Sequence, residues 1–250
     1  MHTSLKTPLL SITGLGILLL LWQLGSVLLA QTMPLANMLA PLPTFQSLWD
    51  LLIHNQLSGH IGASLKRVAV GLLWALFIGV PVGLWVGQLA WAEKLTGTSF
   101  QFLRMISPLS WMPVVVMLLG IGDVPIYFLL AFAAVWPILL NTATGVKSID
   151  RHWLQLGHSL AATRREMLFK IMLPAVLGHI LTGLRLAIGV VWIVLVPCEM
   201  LGVNEGLGYF ILDTRDRLAY SELMAAIVLI GALGWLLDSA TRRLHGRWAH

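Results

Sequence analysis

Residues 149–174 read IDRHWLQLGHSLAATRREMLFKIMLP, and this charged segment separates two long apolar runs. Asp150 is placed to cap a helix, because its carboxylate can accept a hydrogen bond from a free N–H group of the first turn. Trp153, Leu156 and Leu160 follow at the spacing of one helix face. The pattern predicts a short helix with an apolar side.

A second helix is predicted directly after the first. Thr163-Arg164-Arg165-Glu166 has the form of a capping box, in which the threonine and glutamate side chains satisfy the first free N–H groups reciprocally. Ala161-Ala162 forms the turn between the helices, and Pro174 marks a start or a kink near the membrane. The segment is either a docking element or a plain connector, and two helix signals in so loop-poor a chain favour docking.

The composition indicates a membrane protein. Of the 250 residues, 58% are hydrophobic and 11% are charged, and the mean hydropathy is +0.84. A soluble domain usually carries about 25% charged residues, so water would solvate this surface poorly. The net charge of +5 has no clustered basic face with interleaved aromatics, which argues against nucleic-acid binding. The single cysteine, Cys198, excludes an internal disulfide and a cysteine-rich metal site.

Six apolar runs are candidates to cross a bilayer core about 30 Å thick as helices. We therefore expect an all-α integral membrane fold in one domain, residues 1–250, with a cytoplasmic hairpin, residues 148–171, between the fourth and fifth spans. The spans are expected at about residues 8–30, 68–92, 102–121, 125–146, 174–199 and 221–241. The first run could be a signal peptide, but its length favours a retained anchor.

The positive charges predict the orientation. With the N-terminus in the cytoplasm, the inner segments carry eleven Lys and Arg residues and the outer segments four, which follows the positive-inside bias. Both termini are then cytoplasmic. Residues 202–220 become an outer loop that suits either a binding protein or solvent alone. Residues 44–53 form either an amphipathic helix at the membrane surface or a plain connector.

Two charged residues belong to the fifth span. Arg185 and Glu199 are 14 residues apart on one helix face, or about 21 Å along a straight helix. Each therefore needs its own partner or an aqueous cavity. One hypothesis is that this face lines a translocation path, with Arg185 attracting an anion and Glu199 near the outer gate. The other is that both residues bond neighbouring helices.

Prolines and glycines within the spans also have two interpretations. Pro108 frees a backbone carbonyl near Ser110 in the third span, which indicates either a path-lining break or a packed kink. Gly71, Gly79 and Gly83 in the second span have the spacing of a close helix-packing surface.

Several motifs are specific when taken together. They are Ser64-Leu65-Lys66-Arg67-Val68, Gly120-Ile121-Gly122, Trp136-Pro137-Ile138-Leu139-Leu140-Asn141-Thr142, Leu173-Pro174-Ala175, Thr182-Gly183-Leu184-Arg185, and Glu199-Met200 followed by Gly206-Leu207-Gly208-Tyr209. With them the chain resembles the inner-membrane permeases of binding-protein-dependent ABC importers, specifically the nitrate, sulfonate, taurine and bicarbonate type. The likeness runs from about residue 42 to residue 243.

This resemblance implies a half-transporter of the bacterial inner (plasma) membrane. Two permease copies would pair, two ATPase subunits would grip the hairpins, and a periplasmic or lipid-anchored solute-binding protein would deliver the substrate. The implied substrate is a small oxyanion such as nitrate, a sulfonate or taurine, bicarbonate or cyanate. Asn141, within the fourth-span motif, joins Arg185, Glu199, Pro108 and Ser110 as a candidate path residue.

The family also carries a cytoplasmic signature of the form E-A-A, three residues, G, twelve residues, P. With its proline on Pro174, the glycine falls on Ala161 and the E-A-A falls on Gln155-Leu156-Gly157, so this chain departs from the signature there. The resemblance still implies contact with the ATPase through the hairpin. The residues expected to make it are Gln155, Leu156, Gly157, Ala161, Ala162, Thr163, Arg164, Arg165, Glu166, Phe169 and Pro174.

No Gly-Lys pair occurs in the chain, so it has no G-x-x-x-x-G-K-[ST] phosphate loop. We therefore expect ATP and magnesium on partner subunits, and no cofactor, metal or catalytic residue on this chain. Two other classes compete with an ABC permease. A membrane-embedded enzyme would need a nucleophile beside a base, but no histidine falls at mid-membrane. A secondary transporter commonly shows internal repeats, and none is visible.

Overall fold

A computed structural model describes residues 6–248, and all regular structure in that range is helical. Five helices are long and apolar enough to cross a membrane. They are Thr13–Ala30, Ser58–Gln88, Asp123–Lys147, Arg164–Glu199 and Tyr220–Arg243. The expected all-α membrane fold is confirmed. Residues 1–5 and 249–250, which include both predicted cytoplasmic ends, lie outside the described residues.

The helices follow one another with short connections. In chain order they are α1 (Lys6–Ala30), α2 (Pro41–Ile53), α3 (Ser58–Gln88), α4 (Ala90–Met105), α5 (Met112–Leu119), α6 (Asp123–Lys147), α7 (Arg151–Ser159), α8 (Arg164–Glu166), α9 (Leu173–Glu199), α10 (Leu207–Asp216) and α11 (Tyr220–Trp248). A π-helical segment, Met167–Met172, joins α8 to α9 without a break. Because Arg164–Glu199 counts as one span, the second arm of the hairpin and the membrane helix after it form one continuous rod.

The predicted third span is broken. Helices α4 and α5 are bent by 84° at Ile106 and Ser107, whose backbones are extended, and a 3-10 turn, Pro108–Trp111, follows the bend. The bend has a local cause, since a residue before proline is disfavoured in the helical region and Ser107 precedes Pro108. The six predicted spans are reached only if this bent pair counts as one span.

Helix α3 differs from the predicted second span at both ends. It begins at Ser58 rather than at residue 68, and it ends at Gln88 rather than at residue 92. The apolar run begins after Lys66 and Arg67, but α3 begins earlier and includes both residues. Arg67 is only 3% exposed. At the other end, Leu89 has an extended backbone and starts a new helix.

Two connecting segments contain helices. Of the two interpretations of residues 44–53, the helix is the one that the structure shows, as α2, although of its apolar side chains Leu51 is buried while Phe45 and Leu52 are exposed. The segment 202–220, expected to be an outer loop, is not irregular throughout, because α10 occupies Leu207–Asp216 within it. Side chains distant in the sequence cap the start of α10, as described below.

The chain forms two compact units. The first comprises residues 1–60 and 210–231, and the second comprises residues 61–209 and 232–250. In the first unit, the Trp22 indole N–H donates to the carbonyl of Leu39 at 2.8 Å, and the Trp22 ring lies 6.3 Å from that of Phe45. These contacts hold α1 against the segment that leads into α2.

In the second unit α3 and α9 both pack closely against α6. A Cβ added at Gly71 would lie 2.7 Å from the Cβ of Leu130, and one added at Gly83 would lie 2.6 Å from the carbonyl oxygen of Leu139. On α9, a Cβ at Gly183 would lie 2.8 Å from the Pro137 carbonyl oxygen. The glycine surface predicted for the second span is therefore a helix-packing surface.

Candidate functional site

The predicted hairpin forms with the predicted caps. The Asp150 carboxylate accepts a hydrogen bond of 2.9 Å from the backbone N–H of His152, which starts α7. Helix α7 ends in a turn where Ala161 has a φ of +52° and the Ala162 N–H donates to the carbonyl of Gly157 at 3.0 Å. Positive φ at C′ is a common way to end a helix.

The capping box is also confirmed. The Thr163 N–H donates to Glu166 Oε2 at 3.1 Å, and the Glu166 N–H donates to Thr163 Oγ1 at 3.3 Å. Lys170 holds the other carboxylate oxygen of Glu166 at 3.0 Å, one turn further on. The start of the second helix is thus fixed by three side chains close in sequence, which explains why the sequence alone was sufficient to predict it.

The hairpin presents an apolar face. Trp153 and Leu156 on α7 and Leu160 directly after it are 62%, 50% and 74% exposed, and Phe169 on the second arm is 62% exposed. Most of the predicted ATPase-contacting residues are exposed or partly exposed beside them. These are Gln155, Leu156, Ala161, Ala162, Thr163, Arg164, Arg165, Glu166, Phe169 and Pro174. Pro174 lies in the first turn of α9, directly after the π-helical segment that ends at Met172.

Gly157 differs from the other predicted contact residues, because it is buried between the two arms. A Cβ at this position would lie 2.7 Å from Ile171 Cδ1 and 2.7 Å from Met167 Cε. Gly157 therefore brings the arms together rather than presenting a surface to a partner. Both contacting atoms are the ends of flexible side chains, so the alanine of the family signature would require only those ends to shift.

A second site, which the sequence did not reveal, is a buried charged cluster in the second unit. Arg67 on α3 lies between two carboxylates: its Nη1 is 2.7 Å from Glu199 Oε1, and its Nη2 is 2.7 Å from Asp123 Oδ1. Nη1 also donates to the Glu205 carbonyl at 2.6 Å. Glu199 has no exposed surface, whereas the Asp123 side chain is 38% exposed. The cluster joins the starts of α3 and α6 to the end of α9.

The same cluster holds the start of α10. The Leu207 N–H donates to the hydroxyl of Ser64 at 2.9 Å, and the Gly208 N–H donates to Glu199 Oε2 at 2.9 Å. Ser64 in turn donates to Glu199 at 2.8 Å. Free N–H groups at a helix start are thereby paired with a hydroxyl and a carboxylate, the groups that a helix N-terminus favours. Gly206, with a φ of +124°, makes the preceding turn.

The structure does not bring Arg185 and Glu199 together. Arg185 Nε lies 3.2 Å from Asp238 Oδ1 on α11, with both side chains about 40% exposed. Each of the two residues thus has a partner on another helix, as one of the two hypotheses required. In this conformation Glu199 borders no open path. The path role of both residues stays a prediction.

Two of the other candidate path residues share a cavity. Pro108 and Asn141 line a space of about 470 Å³ in the second unit. Ser110 is exposed and is not part of that wall. The Asn141 amide donates to the carbonyl of Pro137 at 2.8 Å. Arg104 and Trp136 also line this cavity, and the sequence had not marked them as path residues.

Known proteins share these features. The pattern of the family described as binding-protein-dependent transport system inner membrane component matches residues 79–249. The nitrate import permease protein NrtB of Leptolyngbya laminosa is 34% identical over 208 residues, 80% of this chain and 75% of the relative. The bicarbonate transport system permease protein CmpB of Synechococcus elongatus is 39% identical over 188 residues, 74% and 67% of the two chains. The taurine transport system permease protein TauC of Escherichia coli is 32% identical over 188 residues, which are 75% of this chain and 68% of the relative.

The fold likeness extends to a solved structure. The methionine ABC transporter MetNI, in an inward-facing conformation, has a chain that matches with a TM-score of 0.64 at 20% identity, over 77% of this chain and 95% of that one. With the helical bundle and its hairpin, these likenesses define the class as a multi-pass membrane permease. The chain belongs to the binding-protein-dependent transport system inner membrane component family, and it is a permease subunit of an ABC importer.

Proposed function

We propose that this chain forms the translocation path for a small anion and is driven by separate ATPase subunits that hold its hairpin. ATP and magnesium bind on those subunits, and this chain performs no catalysis itself. Two copies pair in the bacterial inner membrane with both termini in the cytoplasm. A periplasmic or lipid-anchored binding protein delivers the anion from outside.

The observation that carries this proposal is the apolar face of the hairpin. Trp153, Leu156 and Leu160 are large, exposed and capped into one short helix, with Arg151 and the Arg164-Arg165 pair nearby. An exposed apolar patch rimmed by polar residues is typical of a surface that binds another protein. In this family the expected partner of a cytoplasmic hairpin is the ATPase.

The continuity between the hairpin and α9 supports a mechanical role. Arg164–Glu199 is one uninterrupted helical rod of 36 residues, about 54 Å long at 1.5 Å per residue. A displacement of the hairpin by an ATPase would therefore reach the membrane part of α9 directly. Arg185 and Glu199 both lie on that rod.

We assign the path residues from this rod and from the cavity beside it. Arg185 on the rod and Pro108 and Asn141 in the cavity line the path, and Glu199 acts from behind it as a positioning residue that holds the end of α9. Ser110, which lies outside the cavity wall, stays a candidate path residue. Nitrate, a sulfonate or taurine, bicarbonate and cyanate are the anions in question. The relatives named for nitrate, bicarbonate and taurine support this range.

The test places one charge on the apolar face. Leu156→Asp should abolish two signals. One is the ATP hydrolysis activity that co-purifies with the tagged chain in detergent, and the other is ATP-driven uptake into membrane vesicles. His158→Asp is the matched control, since His158 is exposed on the same helix but lies about 200° around it from Leu156. If Leu156→Asp retains hydrolysis and uptake equal to those of the control, the hairpin is not the ATPase contact.

A further inference from the structure

A groove in the second unit lies between α4 and its neighbours α3 and α6. Of the 16 residues of α4 only Ala92 is buried, so this helix leaves space beside it. Part of that space measures about 320 Å³, and its wall is almost entirely hydrocarbon. Ile78 and Phe128 in this wall are 47% and 44% exposed, so the apolar part of the groove is open to its surroundings.

The groove continues into a polar space of about 210 Å³. Phe100 lines both parts. On α3 the lining passes from Val82 to Val86, and on α6 it passes from Leu139 toward Lys147. The polar part therefore lies nearer the ends of α3 and α6. Its polar side chains are those of Glu93, Thr96, Gln101, Arg104, Thr144 and Lys147.

One positive charge in the polar part is left uncompensated. Lys147 and Glu93 form an ion pair with each other. Arg104 pairs with no carboxylate among the side chains that the structure describes. Two cations and one carboxylate thus leave one net positive charge, and Arg104 is exposed. An anion with several oxygen atoms is the ligand that a guanidinium complements.

The polar part lies at the predicted cytoplasmic side of the membrane. Lys94 and Lys147 belong to the segments that the positive-inside bias places in the cytoplasm. Near the end of α3, Trp85 packs edge-on against Trp91 with ring centroids 5.6 Å apart, and the two side chains are 41% and 58% exposed. Tryptophan is enriched where a bilayer meets water, so this pair marks the same interface.

The apolar part extends from this interface toward the bilayer interior. Along α6 it reaches from Leu139 to Phe128, which is about 16 Å at about 1.5 Å per residue. That length is close to the hydrocarbon depth of one leaflet, which is half of a core about 30 Å thick. A charged group at the interface and hydrocarbon beyond it match the two ends of a phospholipid.

We propose that this groove binds an anionic phospholipid of the cytoplasmic leaflet, with its phosphate on Arg104 and one acyl chain in the apolar part. An acyl chain gains little by moving from the bilayer into the groove, because both environments are hydrocarbon. The charge therefore determines which lipid binds, as in other basic pockets between membrane helices. The groove determines where the lipid lies, and the bound lipid joins α4 to α3 and α6. The inference goes beyond the proposed importer function and does not depend on it.

The first test measures lipid binding to the full chain. The detergent-purified protein is mixed with phosphatidylglycerol or phosphatidylcholine of identical acyl chains, and native mass spectrometry gives the bound fraction. Phosphatidylglycerol should bind at least about tenfold more tightly than phosphatidylcholine, which is the effect of one charged hydrogen bond. Equal binding of the two lipids overturns the proposal. Displacement of phosphatidylglycerol by millimolar glycerol 3-phosphate also overturns it, because a free anion rather than a lipid would then be the ligand.

A charge variant tests the phosphate site. Arg104→Gln should lower the affinity for phosphatidylglycerol at least about tenfold and leave that for phosphatidylcholine within about twofold. Lys94→Gln is the matched control, since Lys94 is exposed on the same helix and lines neither part of the groove. It should change both affinities by about twofold at most, because solvent screens that charge. Equal losses for the two variants indicate a diffuse surface charge and overturn the site.

A second variant tests the acyl-chain site. Ile78→Trp enlarges a side chain in the apolar wall and should lower the bound fraction of both lipids. Leu73→Trp makes the same kind of change on an exposed position of α3 outside the groove and should leave both bound fractions unchanged. Equal lipid binding by the two variants contradicts an acyl chain in the groove.

The same spectra test the other possible occupant of the groove, a second copy of the chain. If that copy covers the groove, phosphatidylglycerol will bind the monomer but not the dimer, and the lipid site is refuted for the assembled transporter. The measurement needs no ATP, whereas the hairpin test depends on ATP hydrolysis. A chain that recruits its ATPase but shows no preference between the lipids thus refutes the lipid site alone. One that binds phosphatidylglycerol through Arg104 without recruiting an ATPase supports the lipid site and refutes the importer role.

Discussion

Arg67 on α3 and Glu199 on α9 form an ion pair 2.7 Å long whose side chains are 4% and 0% exposed. The two residues are 132 positions apart in the chain. Because neither charge reaches solvent, each depends on the other for its solvation. The pair also contacts the turn before α10 through the Glu205 carbonyl and the Gly208 N–H. One buried pair thus fixes two helices and the start of a third.

Removing one charge of this pair should destabilise the protein strongly. Glu199→Gln keeps the size of the side chain and leaves Arg67 paired with Asp123, so we expect a loss of about 1.5–3 kcal/mol, the size of a hydrogen bond to a charged group. The measurement is the apparent thermal unfolding midpoint of the detergent-purified protein at one scan rate. Arg217→Gln, which removes two exposed pairs, with Asp213 and with Glu222, should change stability by about 1 kcal/mol at most, since exposed pairs contribute little.

A double variant checks that the cost comes from the orphaned charge. Arg67→Met combined with Glu199→Met removes both charges and should be more stable than Arg67→Met alone. If the double variant is less stable than either single variant, packing rather than charge pairing accounts for the loss.

The turn beside the pair should tolerate only glycine. Gly206 has a φ of +124°, and a Cβ there would lie 2.5 Å from both Arg67 Nη1 and Glu199 Cδ. The backbone strain of Gly206→Ala costs about 1–3 kcal/mol, to which displacement of the buried pair adds. Gly178→Ala in α9 is the control, since a Cβ at Gly178 meets nothing within 4 Å. Equal unfolding midpoints for the two variants would falsify this account of the turn.

The hairpin was predictable from the sequence because its interactions are local. Asp150 bonds a residue two positions away, and Thr163 and Glu166 bond each other across one turn. Such caps depend only on residue type and spacing. The break at Pro108 was marked in advance in the same way, although its 84° angle was not. An angle depends on what the two helices pack against, which no local pattern records.

The buried cluster could not be assembled from the sequence in this way. Lys66 and Arg67 come directly before the predicted second span, so both were counted among the outer charges, although Arg67 is buried against its two carboxylate partners. A signal did exist, since Glu199 in a span needed a partner and Arg67 belonged to the same set of motifs. What the sequence lacked was the pairing itself, because α3, α6 and α9 are distant in the chain.

Close helix packing gives a further prediction. A Cβ at Gly83 would lie 2.6 Å from the Leu139 carbonyl oxygen and 2.7 Å from Thr142 Cβ. These atoms belong to backbone and to a buried side chain, so α3 must move away from α6, and Gly83→Ala should cost about 1–3 kcal/mol. Gly97→Ala in α4, where a Cβ meets nothing within 4 Å, should stabilise the protein by up to about 1 kcal/mol. Unfolding midpoints that shift in the same direction for both variants would contradict the packing role.

The path role of Arg185 can be tested apart from its structural role, because its partner Asp238 has a second cation to pair with. Asp238 lies 3.2 Å from Arg185 and also 2.7 Å from Arg242, so Arg185→Gln leaves the carboxylate paired. Both side chains are about 40% exposed, and the pair should contribute no more than about 1 kcal/mol to stability. We therefore expect Arg185→Gln to assemble normally with its ATPase and to lower anion uptake into vesicles. Arg242→Gln, which removes the other partner of Asp238, is the matched control and should leave uptake unchanged. Unchanged uptake by an assembled Arg185→Gln complex removes Arg185 from the path and leaves it as a residue that joins α9 to α11.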